Sequence, residues 1–114
     1  MQIAILGAGM VGRAMAIDLA AKYQVTSFDV SDKSLEILSK KNNKIKTIKT
    51  DLSNYTAYNS LLKEFDFVIC AVPGFMGYKT LKAIINAQKN VVDISFFPEN
   101  ALELDALEIG RAHV

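Results

Sequence analysis

The sequence predicts an α/β protein built on a doubly wound parallel sheet with helices on both faces. Three observations carry that prediction. Strand-like and helix-like segments alternate along the chain, the pattern that joins parallel strands through crossover helices. Near the start, GAGMVG at Gly7 to Gly12 fits G-x-G-x-x-G and lies between an apolar strand and a helix. An aspartate, Asp29, closes the second strand-like run about 20 residues beyond the first glycine.

The elements follow in order. Ile3-Ala4-Ile5-Leu6 is a continuous apolar run, as expected of a strand near 2–6 that is buried on both faces. Gly7 suits the tight turn that follows, Gly9 lets a pyrophosphate approach the backbone, and Gly12 lets a helix near 11–22 pack against the strand. That helix starts with unpaired N–H groups and the positive end of its dipole, the environment a phosphate needs. The same glycines in isolation would be an ordinary turn; the strand before and the helix after make them a phosphate grip.

A second strand near 25–29 ends on Asp29 and Val30, and Ser31-Asp32-Lys33-Ser34 reads as the N-terminus of a helix near 32–41. At that strand end a carboxylate can bridge the hydroxyls of an adenosine ribose. The competing reading makes Asp29 a loop or capping residue. An Asp29 carboxylate would repel a 2′-phosphate and no arginine follows it, so NAD is the preferred cofactor. NADP stays possible, because one arginine from elsewhere would reverse the preference.

The third strand, near 45–49, carries Lys44, Lys46 and Lys49 around Ile45 and Ile48, a composition that guards an exposed sheet edge. In the Rossmann-type order 3-2-1-4-5 this strand is the edge. Asp51 and Leu52 follow it and fall near the adenine, although a capping role for Asp51 or Ser53 fits equally well. Tyr55, Tyr58, Leu61, Leu62 and Phe65 recur at helical spacing over 54–64 and read as core.

Phe67 to Ala71 form the fourth strand, with Cys70 a small buried residue rather than a reactive thiol. Ala71, Val72 and Pro73 then run past its carboxyl end toward a helix near 75–88, and Gly74 keeps the backbone lean where the nicotinamide half would pass. An ordinary strand-to-helix turn would also accept Pro73-Gly74. The fifth strand, near 91–94, brings Asp93 and then Ser95 to the same edge. A buried structural hydrogen bond is the rival role for Asp93, and a further helix starts near Pro98.

With 114 residues, 51% of them apolar, and a net charge of +1, the chain is one domain of an ordinary globular protein. Nothing in the charge suggests nucleic acid, no metal site is expected, and no apolar run approaches the roughly 20 residues that span a bilayer. The chain opens on its first strand rather than a signal peptide, so cytoplasmic residence is the expectation.

Taken together, GAGMVGRAMAIDLA, FDVS, VICAVPGFMGYKTLKAII and VVDISFFPENALELDAL resemble the N-terminal region of the saccharopine dehydrogenase-like oxidoreductases, and among them the L-lysine 6-dehydrogenase branch. The similarity covers residues 1–107, and its last two stretches are the most diagnostic. It implies a two-domain, homodimeric enzyme that oxidises an amino-acid C–N bond by hydride transfer to NAD(P), with a small amino-acid substrate held by a second domain. Carried over, Gly7, Ala8, Gly9, Met10 and Val11 would meet the pyrophosphate and Asp29 the ribose. Ala71, Val72 and Pro73 would line the way to the nicotinamide ribose, and Asp93, Ser95 and Phe96 the edge of the substrate cleft. No catalytic residue is assigned, because the substrate pocket of such enzymes draws on the second domain; Asp93 and Ser95 are the candidates within this chain.

Glu108 to Val114 match the in-frame translation of a DNA string that begins with G and continues as AGATCGGAAGAGCACACGTC, a widely used sequencing-adapter sequence. The expectation is a dinucleotide-binding domain over 1–107, cut before its final strands, and a non-native tail over 108–114 in which Arg111 and His113 carry no function. Leu102, Leu104 and Leu107 would then be left exposed, and the chain alone would bind NAD weakly and turn nothing over. Two rivals remain at this level: a regulatory nucleotide-sensing module without catalysis, and a dehydrogenase of the same fold acting on a hydroxyl or carbonyl group.

Overall fold

β1 (Gln2–Leu6) lies at the centre of a five-stranded parallel sheet, with β2 (Gln24–Asp29) and β3 (Lys46–Lys49) on one side and β4 (Phe67–Cys70) and β5 (Asn90–Asp93) on the other. The order is therefore β3-β2-β1-β4-β5. The computed structural model describes residues 1–95. The helix expected from Pro98, the residue Phe96 and the tail over 108–114 lie outside the described residues.

Register explains why β1 reads as an unbroken apolar run. Ile5 pairs with Ser27 on β2 and Ile69 on β4, so both edges of the strand are occupied. Side chains alternate across the sheet. Ile3 and Ile5 face a layer with Ala16, Val25, Leu38, Ile45 and Ile69, beneath α1 (Met10–Ala20) and α2 (Asp32–Lys41). Ala4 and Leu6 face the other layer with Phe28, Tyr58, Leu62, Val68 and Leu81, beneath α3 (Tyr58–Leu61) and α4 (Gly74–Asn86). Both faces are covered, so Ile3 to Leu6 are all buried and apolar, and only Gln2 at the start of the strand is polar and exposed.

Edge strand β3 exposes Lys46 and Lys49, and the Lys49 Nζ sits 3.0 Å from Asp32 Oδ2 on α2. The strand starts one residue later than its composition suggested, because the Ile45 N–H turns back to the Asn42 carbonyl at 3.3 Å instead of entering the ladder.

The largest departure is over 54–64. In place of a continuous α-helix, the chain makes a 3-10 turn (Tyr55–Ala57) and then the four-residue α3. The apolar spacing is met, with Tyr58 and Leu62 fully enclosed and Tyr55, Leu61 and Phe65 packed against the same core. A tether tightens the backbone: the Tyr58 hydroxyl donates 2.7 Å to the Leu52 carbonyl, drawing the start of the element against the preceding loop. A tighter turn at a helix start is a common way to meet such a constraint. Another special position, Gln88 between α4 and β5, has φ +62°, a left-handed conformation unusual for a residue with a side chain.

Among the described residues, no helix is long and apolar enough to cross a membrane.

Candidate functional site

The chain leaves β1 toward β2 on one side, and enters β4 on the other, so the sheet's order reverses beside β1. The crevice at the carboxyl ends of the strands opens there. The loop after β1 forms its floor. Gly7 has φ +107°, and a Cβ on it would fall on the Ala71 carbonyl at the end of β4. Gly12 is equally confined: its Cβ would strike the Gly7 carbonyl, with the Ala71 Cβ at 3.4 Å. Its glycine thus serves the loop and the end of β4 more than the body of β1. Gly9 differs from both, with no protein atom within 4 Å of the place a Cβ would take. Its open side faces the crevice.

α1 begins at this loop without a side-chain cap and without an acidic residue in its first turn. By contrast, α2 supplies its own: Ser31 Oγ accepts from the Ser34 N–H at 3.1 Å, and Asp32 stands in its first turn. The positive end of α1 is therefore left for an anion from outside the chain; α4, which starts at Gly74 on the same crevice, is likewise without a side-chain cap or an early acid.

Asp29 ends β2 and is bound at both carboxylate oxygens. Oδ2 accepts the Ala8 N–H at 2.6 Å and Oδ1 accepts the Ser31 N–H at 2.8 Å. Arg13 Nη1 donates to the Ala8 carbonyl at 2.8 Å, so Ala8 is gripped on both of its polar groups. Ala8 is fully buried and lines neither part of the crevice, and its N–H is directed to Asp29. Arg13 was not singled out from the sequence as a site residue. Its one available signal is helical, since it lies one turn after Gly9 on the strand-facing loop's own helix.

Two adjoining cavities make up the crevice. One, of about 470 Å³, is lined by Gly7, Gly9, Met10, Val11 and Gly12, by Asp29 and Ser34, and by Ala71 to Gly74, Ile94 and Ser95. The other, of about 410 Å³, is lined by Gly7, Asp29 and Val30, by Asp51, Leu52 and Ser53, and by Val72, Pro73, Phe75 and Met76. Gly7, Asp29, Val72 and Pro73 belong to both, which puts Asp29 at the junction. Ser34, Ile94, Phe75 and Met76 are lining residues that composition and spacing did not single out.

Asp51 Oδ1 accepts both the backbone N–H (3.0 Å) and the hydroxyl of Ser53, and these two bonds hold its carboxyl below the usual carboxylate range. It shapes the loop after β3 and lines the second cavity as well, so its two expected roles coexist. At the far end, Asp93 Oδ1 accepts the Ser95 N–H at 2.9 Å, while Asp93 itself lines neither cavity. Of the pair, Ser95 is the residue brought into the crevice. Behind it Cys70 is buried, its Sγ 3.7 Å from Ser95 Oγ, and burial pushes the thiol up to about 12. Among the described residues, no group of three His, Cys, Asp or Glu side chains converges to hold a metal ion.

An open-sided glycine, an uncapped helix start and a carboxylate at the neighbouring strand end define a dinucleotide-binding domain of the Rossmann type. Residues 3–109 match the sequence model of the saccharopine dehydrogenase NADP binding domain, and the chain belongs to that family. Among solved structures it is similar to the apo saccharopine dehydrogenase (L-Glu forming) of Saccharomyces cerevisiae, at 26% identity and a TM-score of 0.72, over 90% of this chain and 23% of that one. It is also similar to the 3-hydroxyacyl-CoA dehydrogenase of Archaeoglobus fulgidus, at 26% identity and a TM-score of 0.61, covering 84% of this chain and 34% of that one. The UDP-N-acetylglucosamine 3-dehydrogenase of Acidithiobacillus ferrooxidans shares the fold at 19% identity and a TM-score of 0.69, over 97% of this chain and 35% of that one. No curated protein matches. The chain thus spans about a quarter to a third of the length of these solved relatives.

Proposed function

We propose that this domain binds NAD in preference to NADP, for an oxidoreductase that removes hydride from a C–N bond of a lysine- or saccharopine-type amino acid. The observation that carries the cofactor preference is the double anchoring of Asp29. With Ala8 and Ser31 each donating to one carboxylate oxygen, the side chain cannot turn aside to admit a 2′-phosphate, and free lone pairs remain for ribose hydroxyls. The charged residues among those lining the two cavities are Asp29 and Asp51, both acidic; Arg13 and Lys41 line a separate hollow outside them. The family's description names NADP, and the preference proposed for NAD rests on the Asp29 carboxylate rather than on that description.

The nicotinamide, when bound, supplies the hydride acceptor. The chain's own residues bind and orient: Gly9 and the amides that open α1 receive the pyrophosphate, Asp29 the adenosine ribose. Ala71, Val72 and Pro73 carry the backbone along the path to the nicotinamide ribose. We assign Ser95 to the nicotinamide end, with Asp93 holding its backbone, and no proton transfer to either. The amine specificity rests on family membership and on the likeness to an enzyme named saccharopine dehydrogenase. The substrate pocket, dimerisation through a second domain and cytoplasmic residence belong to the same proposal for the whole protein.

Titrating the chain with NADH and NADPH and following their fluorescence tests the cofactor choice. Tighter binding of NADH is the expected result, and equal or tighter NADPH binding overturns it. For the reaction, NADH formation by the whole protein with lysine or saccharopine, and none with hydroxy acids, is expected; the reverse pattern overturns the amine assignment.

A further inference from the structure

Arg13 sits outside the crevice, in the hollow lined also by Met10, Asp18 and Lys41, yet its Nη1 reaches back 2.8 Å to the Ala8 carbonyl. That carbonyl and the Gly9 N–H belong to one peptide unit, which is trans. The two groups of a trans peptide point in opposite directions, so a carbonyl held toward Arg13 sends the Gly9 N–H the other way, to the crevice that Gly9 lines. Among the described residues, no acceptor takes this N–H. The loop itself does not fix that direction. Asp29 fixes only the preceding peptide, through the Ala8 N–H. Gly9 adopts either sign of φ at little cost and has no protein atom within 4 Å of a Cβ position, so no side chain at 9 opposes a reversal of the 8–9 peptide.

We propose that Arg13 is a positioning residue for the cofactor's pyrophosphate: by holding the Ala8 carbonyl out of the crevice, it keeps the Gly9 N–H turned in as a donor. This rests on the dinucleotide-binding reading above and adds to it the residue that sets the direction of one donor. With the bond in place, the Gly9 N–H joins the unpaired N–H groups that open α1. Without it, a reversed peptide would put a carbonyl oxygen against a phosphate oxygen, two acceptors with no proton between them. A guanidinium suits this task because it keeps its charge at every working pH, and a charged donor makes a stronger bond than a neutral one. Arg13 touches no phosphate in this scheme; its effect passes through the 8–9 peptide.

Two variants test this. Arg13→Met keeps the stem of the side chain and removes the donor. It should retain the circular dichroism spectrum of the parent chain and bind NADH and ADP-ribose about tenfold more weakly, the loss expected with one charge-assisted bond. Adenosine, which carries no phosphate, should bind parent and variant alike. Arg13→Ala leaves room for a guanidinium ion, which at sub-denaturing concentration should recover NADH affinity in that variant, while ammonium at the same concentration should not. Unchanged ADP-ribose affinity in Arg13→Met, an equal loss for adenosine, or recovery by ammonium as well as by guanidinium overturns the positioning role and leaves the dinucleotide reading standing. Loss of the parent's spectrum in both variants makes Arg13 a support of the fold and overturns it too. Failure of the parent chain to bind NADH overturns both readings.

Discussion

The Ala8 N–H donates to Asp29 Oδ2 at 2.6 Å, a bond that joins the glycine loop after β1 to the end of β2 across 21 positions of sequence. Asp29 is therefore a support of the glycine loop as well as the proposed partner of the ribose, and its replacement should be felt in both capacities.

Asp29→Ala leaves the N–H of a fully buried residue without its acceptor. Loss of a partner carrying charge costs about 1–3 kcal/mol. Urea unfolding should show that loss without NADH, and NADH titration should show weakened binding as well. A variant as stable as the parent would mean that the loop holds its shape without Asp29.

The three glycines of the loop should fail in different ways. Gly7→Ala and Gly12→Ala place a Cβ on a carbonyl oxygen, and Gly7 adds the strain of φ +107°. Both should lower stability by roughly 2 kcal/mol or more, as backbone incompatibility at a packed site does. Gly9→Ala meets no protein atom within 4 Å, so its melting temperature should stay with the parent's while NADH binding falls. Thermal unfolding and NADH titration on the same three proteins separate fold from ligand approach.

Cys70 should be unreactive in the folded chain. Burial raises its thiol from 9.0 to about 12, so at pH 8 the thiolate fraction falls by roughly three decades relative to an unfolded cysteine. Iodoacetamide labelling should be on the order of a thousandfold slower than in ~8 M urea. The same shift has a stability consequence. The folded state holds its proton more tightly, so the stability linked to Cys70 is complete below pH 9 and declines as pH rises from 9 toward about 12. The slope is at most about 1.4 kcal/mol per pH unit, and Cys70→Ala should flatten that part of the profile. Buried Tyr58, also shifted upward by desolvation, adds to the decline above pH 10 in parent and variant alike.

Gln88→Gly should stabilise the chain. At φ +62° a side chain carries a penalty of about 1 kcal/mol that glycine does not. Chemical denaturation should show a gain of several tenths of a kcal/mol to about 1, since glycine also gains freedom in the unfolded state. A loss would indicate that the Gln88 side chain contributes packing of its own.

Strand order, the two-faced burial of β1 and the position of Asp29 were all legible in the sequence, because each is written in a local pattern: an unbroken apolar run, a lysine-marked edge, an acid at a strand end. The contraction of 54–64 was not, since it depends on the Tyr58 hydroxyl finding the Leu52 carbonyl. Apolar periodicity records which side chains are buried and is indifferent to how tightly the backbone between them is wound. Arg13 and Phe75 escaped for a related reason. Arg13 matters through a carbonyl five residues earlier, and Phe75 through a cavity whose other wall follows β2. Neither relationship has a spacing that the chain repeats. Ala8 lay inside the recognised motif, yet its buried setting gives it a supporting part.

Ala71 sets a limit on how this loop can change. Its carbonyl occupies the place of a Gly7 side chain, and its methyl group lies 3.4 Å from the place of a Gly12 Cβ. The turn after β1 is in effect cast against the last residue before Val72, so positions 7, 12 and 71 form one steric unit spread over two crossovers. A branched residue at 71 would press on the same helix start that glycine at 12 keeps close. Substitution at any one of the three is therefore a change to a shared mould, and relatives that keep the glycines should keep a small residue where this chain has Ala71.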